Sequence, residues 1–140
     1  MVVNRPEMLR RSRFELVITG EARNYAQFLE RLVGPDLLLL KPVGTEEQVL
    51  NLVQSGQPDA VVLDEAAMRI DALRVLRMIR RVNQTMLVLV LAQRANERRL
   101  AEALDLAAFS VVLKPLHLEE LLNQLYRMML RMENELRQGP

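Results

Sequence analysis

A chain of 140 residues is the size of one domain, with room for a single buried core and too little length for two. Half of the residues are apolar and about a quarter are charged, which excludes disordered, collagenous and membrane-embedded compositions. The lack of cysteine excludes disulfides, thiolate zinc sites and cysteine nucleophiles and fits a cytoplasmic setting, while a net charge of +1 excludes a global field for nucleic acid.

Residues 1–12 read as a flexible basic arm. Arg5, Arg10, Arg11 and the following Arg13 have no apolar run behind them, so neither a signal peptide nor a spanning helix can be assembled there. The domain itself is expected over 13–132, and 133–140 as a helical extension or tail. Strand-like runs at 16–19, 37–40, 60–63, 86–91 and 109–113 alternate with helix-like segments. Four of the runs are nearly unbroken Val/Leu, which predicts strands in the interior of a sheet covered by helices on both faces. The first helix is expected over 22–33, with Tyr25, Phe28, Leu29, Leu32 and Val33 on its apolar stripe and Gly34-Pro35 closing it. The second begins at Thr45, where Thr45 and Gln48 have capping-box spacing, and stops near Gly56. A third, over 71–81, buries Leu73, Leu76, Met78 and Ile79; a fourth, capped by Asn96, buries Leu100, Ala103, Leu104 and Ala107.

The last helix is expected from 118 to about 137, roughly 30 Å at 1.5 Å per residue, longer than the face of a sheet requires. Leu118, Leu122, Leu125, Met129, Met132 and Leu136 alternate spacings of four and three, the seam of a coiled coil, so Leu125, Met129, Met132 and Leu136 are candidates for an interface with a second chain or a protein partner. The alternative is that the first turns pack on the sheet. The basic clusters Arg10/Arg11/Arg13 and Arg74/Arg77/Arg80/Arg81 lack a recognition-helix pattern or interleaved aromatics, which argues against nucleic-acid contact.

Alternating strands and helices build a parallel α/β sheet, and for five strands the flavodoxin-like doubly wound order 2-1-3-4-5 is expected. Ligands of such sheets collect at the carboxyl ends of the strands. There the sequence supplies Gly20 and Glu21, Asp64, Ala92 and Lys114, a set of carboxylates and one ammonium suited to a divalent cation with a phosphoryl group.

Asp64 follows Pro58-Asp59-Ala60-Val61-Val62-Leu63, and Lys114-Pro115 precedes the last helix. In these two stretches, and in Asp71 ahead of helix three, the chain resembles the receiver domain of bacterial two-component response regulators. The resemblance implies that Asp64 is the phosphoacceptor, that Lys114 is the counter-charge for its phosphoryl group, and that Lys114-Pro115 is a cis peptide. It also implies a histidine kinase as phosphodonor and an output domain as partner.

Several positions depart from the family pattern. Gly20-Glu21 replaces two adjacent acids that hold magnesium, so Glu21 and Asp64 are weak Mg2+ candidates, with Glu65 as a substitute ligand. The hydroxyl and aromatic switch positions are Ala92 and Val111, and Met68 and Ala72 replace proline and glycine after Asp64. Two functions follow: an atypical receiver acting mainly through protein contact or dimerisation, or a working phosphoacceptor with Mg2+. Lys114 would pair with Asp64 in either, and Glu21 also suits a helix N-terminus. His117 reads as a turn residue, and no triad, P-loop or zinc spacing suggests a free-standing enzyme.

Overall fold

Apolar runs bounded by turn residues become five parallel strands in the computed structural model, which describes residues 13–93, 97–106 and 108–138, the side chains of 136–138 excepted. The strands are β1 (Phe14–Ile18), β2 (Leu38–Pro42), β3 (Ala60–Asp64), β4 (Leu87–Ala92) and β5 (Ser110–Leu113). Their order is β2-β1-β3-β4-β5, the doubly wound arrangement expected from the alternation of elements. The helices are α1 (Ala26–Val33), α2 (Glu46–Ser55), α3 (Ala72–Val82), α4 (Glu97–Asp105) and α5 (Leu118–Gln138). One core lies under α1 and α5, around Leu16, Ile18, Val62 and Leu89. The other lies under α2, α3 and α4, around Val17, Val61, Leu63 and Val90. Every residue of β3 and β4 is buried, as expected of strands covered on both faces.

Helix ends follow local chemistry. Thr45 caps α2 by accepting from the Gln48 amide, and the Gln48 side chain accepts from the Thr45 amide in return. Gly56 ends that helix in the left-handed region, at φ 76°. Asp71 caps α3 by accepting from the amide of Arg74. The arm 1–12, Asn96, Ala107 and the side chain of Leu136 lie outside the described residues.

Four expectations are corrected. The Val/Leu runs of β2 and β5 stand at the two edges of the sheet, because in this order only β1, β3 and β4 have neighbours on both sides. The first helix is split: a 3-10 segment, Gly20–Tyr25, leads into α1. Its tighter winding advances the phase of the helix. Ala22 and Leu29 are therefore buried with Tyr25, Ala26 and Val33 packed beside them, whereas Phe28 and Leu32 are 51 % and 54 % exposed. In α3 and α4, Met78 and Leu104 lie toward solvent, and Val75 and Ala103 hold the core positions.

The seam read on α5 is the fourth correction. Leu125 is fully buried in the chain's own core, alongside Leu121 and Met128, and Met129 and Met132 pack against the same cluster. Leu125 is thereby taken out of any seam with a second helix, while Met129 and Met132 are only partly buried. Among the described side chains of α5, the large apolar ones turned outward are Tyr126 and Leu130. Among the described residues no helix is long and apolar enough to cross a membrane. Leu125→Ala should therefore lower the unfolding free energy measured in urea by about 2–5 kcal/mol. Leu130→Ala should change it by about 0.5 kcal/mol or less. Equal losses for the two would contradict this packing.

Candidate functional site

β1 and β3 pair from Leu16↔Ala60 to Ile18↔Val62, and beyond Ile18 a side chain takes over the bridge. The buried Thr19 hydroxyl donates to the carbonyl of Val62 (2.8 Å) and accepts from the amide of Asp64 (3.0 Å). The last residue of β3 is thereby held at the carboxyl rim, with its side chain 1 % exposed.

Both oxygens of the Asp64 carboxylate are engaged by donors. Oδ1 accepts from the amide of Ala66 at 2.8 Å and lies 2.8 Å from Lys114 Nζ in the ion pair. Oδ2 accepts from the amide of Glu21 at 2.8 Å and from Lys114 Nζ at 2.9 Å. The Lys114 ammonium also lies 3.2 Å from Glu21 Oε1, so it stands close to three carboxylate oxygens on two side chains. The expected convergence of Asp64, Lys114 and Glu21 is present, and Lys114-Pro115 is a cis peptide. Burial opposes the charge on Lys114, but the hydrogen bonds to Asp64 and Glu21 outweigh it and hold the ammonium's pKa above its ordinary value.

Gly20 lets these groups come so close. Its φ is +57°, and a Cβ there would stand 2.5 Å from both Cβ and Oδ2 of Asp64. No side chain enters at that position without moving Asp64. Ala92 is buried at the end of β4, where its carbonyl accepts from the amide of Lys114 (2.9 Å). Val111 pairs with Val90 and packs into the core under α4, so neither residue offers a polar group to the rim. Met68 is 99 % exposed on the loop after β3, and Ala72 is buried at the start of α3. His117 is exposed ahead of α5, and its carbonyl accepts from the amide of Leu121, a helix-start role.

Glu65 turns away from this centre. Its side chain, 6 % exposed, takes the Arg99 guanidinium at 2.7 Å and the Gln93 amide at 3.2 Å. Sequence reading offered it as a metal ligand, but here it is a tether for α4. Arg99 also reaches Asp71 (3.2 Å), the Asp71 amide donates to Glu46 (2.7 Å), and Glu46 pairs with Arg74, so charged contacts link α2, α3 and α4. Arg77 pairs with Glu102, and Arg80 donates to the carbonyls of Leu106, Asn83 and Met86. Much of the arginine cluster on α3 is thus engaged within the chain. On the opposite side, Tyr25 donates to the carbonyl of Leu116 (3.0 Å) and ties the 3-10 segment to the loop after Lys114. Thr19, Tyr25 and Arg99 were not singled out as site residues in the sequence; only a polar residue directly after an apolar strand hinted at Thr19.

Among the described residues no group of three or more His, Cys, Asp or Glu side chains is placed to hold a metal ion. The folded-state pKa of Lys114 lies above its unfolded value. Its ion pairs therefore give their full stability below about pH 10 and lose it as pH rises through the folded pKa. Thermal unfolding should show a steeper alkaline fall in the wild type than in Lys114→Met, which lacks the titrating amine. Parallel curves would contradict the pairing.

The profile described as the response regulator receiver domain matches residues 22–126. Response regulator MprA of Mycolicibacterium vanbaalenii is 37 % identical over 84 residues, which are 60 % of this chain and 36 % of that one. Response regulator MprA of Mycobacterium avium is 34 % identical over 88 residues, 63 % and 39 % of the two chains. The chain thus spans well under half the length of these relatives. The non-phosphorylated HemR receiver domain from Leptospira biflexa superposes with a TM-score of 0.70 at 22 % identity, covering 83 % of this chain and 94 % of that one. A CheY-like receiver domain protein from Methanospirillum hungatei does so with 0.73 at 12 % identity, covering 91 % and 100 %. With the profile spanning most of its length and the fold shared, the chain belongs to the response regulator receiver domain family of two-component signalling.

Proposed function

We propose that this receiver domain works as a protein-binding module whose site is held in one state by its own ion pairs, without taking up a phosphoryl group. The observation that carries the reading is the saturation of Asp64. A nucleophilic carboxylate needs an oxygen free to approach phosphorus, and both oxygens here are engaged and withdrawn from solvent. Two further features support it. Ala92 has no hydroxyl to follow a phosphoryl group, and Val111 has no ring to swing into vacated space.

Binding would use the face formed by α4, β5 and α5, toward a second copy of the chain or another protein. Leu104, Leu113, Tyr126 and Leu130 are large apolar residues exposed on those elements. β5 is also an edge strand, with one side unpaired in the sheet.

One observation favours a second reading, in which a histidine kinase phosphorylates Asp64 with Mg2+ and an output domain reads the change. Lys114 lies within 2.9 Å of both carboxylate oxygens, close enough to serve as counter-charge to a phosphoryl group there. Incubation with phosphoramidate and Mg2+, followed by intact-mass measurement, separates the two. The first reading expects an unmodified chain under conditions that fully phosphorylate an active receiver. A phosphoryl adduct on the wild type that disappears in Asp64→Asn would establish the second.

A further inference from the structure

A divalent ion of the magnesium class needs oxygens with free lone pairs in near-octahedral geometry, commonly one or two carboxylates and several waters. The rim does not meet that demand. Each oxygen of Asp64 already holds a backbone amide that belongs to the loops themselves, and both oxygens lie against the Lys114 ammonium. A second carboxylate cannot enter from position 20, where any side chain collides with Asp64. Glu65, the remaining acid beside the site, is engaged by Arg99 and the Gln93 amide. Among the described residues Glu21 is left as the one other carboxylate at the centre, and its oxygen is turned to the same ammonium as Asp64. The rim therefore does not fit the metal that the family implies.

We propose that the Lys114 ammonium is the resident cation of this site: it supplies the positive charge that Asp64 and Glu21 share, and the domain completes its rim without a divalent metal ion. The inference goes beyond the preceding reading, since a domain that takes no phosphoryl group could still bind a metal. Three features make the ammonium a better occupant than a dication. It lies within ion-pair distance of three oxygens, both of Asp64 and one of Glu21. It leaves the Glu21 and Ala66 amides in place on Asp64. It is also covalently part of the chain, so it has no concentration to fall below. A dication arriving beside it would meet like-charge repulsion from the ammonium.

The two occupants compete for one position, so removing the ammonium should create a metal site where the wild type has none. The test is paramagnetic broadening of amide resonances by Mn2+, in the wild-type chain, in Lys114→Ala and in Lys114→Ala with Asp64→Asn. The wild type should show no selective loss of the Gly20, Glu21, Asp64, Glu65 and Ala66 signals. Lys114→Ala should lose them selectively, at Mn2+ concentrations about tenfold below those that broaden the wild-type spectrum generally, because two carboxylates now lack a cation. Adding Asp64→Asn should restore them. Lys114→Gln, which keeps a neutral donor beside Asp64, replaces Lys114→Ala if that variant does not fold. Selective broadening in the wild type that Asp64→Asn removes would overturn the inference, and so would a folded Lys114 variant that gains no Mn2+ binding. Neither result bears on phosphoryl uptake, which the mass measurement reads separately.

Discussion

A carboxylate withdrawn from water has to be surrounded by donors, and Asp64 imposes that requirement on the whole carboxyl rim. Its oxygens gather the 3-10 segment after β1 through the Glu21 amide, the loop after β3 through the Ala66 amide, and the end of β5 through Lys114. Elements far apart in sequence are thereby closed onto one point. Thr19 fixes the direction of approach, because its hydroxyl holds the Asp64 amide while bonded to Val62. Gly20 provides the clearance, and Tyr25 anchors the loop beyond Lys114 from the other side. Removing one partner from a buried ion pair of this kind costs about 3–5 kcal/mol, far more than an exposed pair contributes.

Next to this centre runs a second set of contacts. Glu65 follows Asp64 directly and binds Arg99 of α4, and Arg99 reaches on to the Asp71 cap of α3. Ion pairs between exposed side chains contribute little singly, so Arg74 with Glu46 and Arg77 with Glu102 position helices more than they stabilise them. The Glu65 pair differs because its carboxylate is nearly buried and must keep its partners. The position of α4 is thus set from a residue adjoining Asp64. On the function proposed above, the binding face that includes α4 would be held in a single arrangement by the same rim that excludes the phosphoryl group.

Much of this was legible in the sequence where the determinants are local. Thr45 with Gln48, Asp71 and Gly56 mark helix ends because capping is decided within a few residues. Apolar runs ending on Asp64 and Lys114 placed both groups on one rim, because parallel strands in this order bring their carboxyl ends together. What the sequence concealed depends on tertiary packing. A 3-10 turn before α1 rotates its stripe and exposes Phe28 and Leu32. The spacing of Leu118, Leu122, Leu125 and Met129 suits a coiled coil and a helix lying on a sheet equally, and only the core that Leu125 joins decides between them. Glu65 and Arg99 are long side chains on separate elements, so nothing in their spacing foretells that they meet.

If Asp64 and Lys114 act as one buried unit, their contributions to stability cannot be additive. A double-mutant cycle in urea with Asp64→Asn, Lys114→Met and the double variant measures that coupling directly. Each single change should destabilise strongly by leaving the other group unpaired, and the double variant should cost less than their sum by about 1–3 kcal/mol. Losses that add to within about 0.5 kcal/mol would mean that the two groups stand near each other without depending on each other, and the closed rim described here would be contradicted.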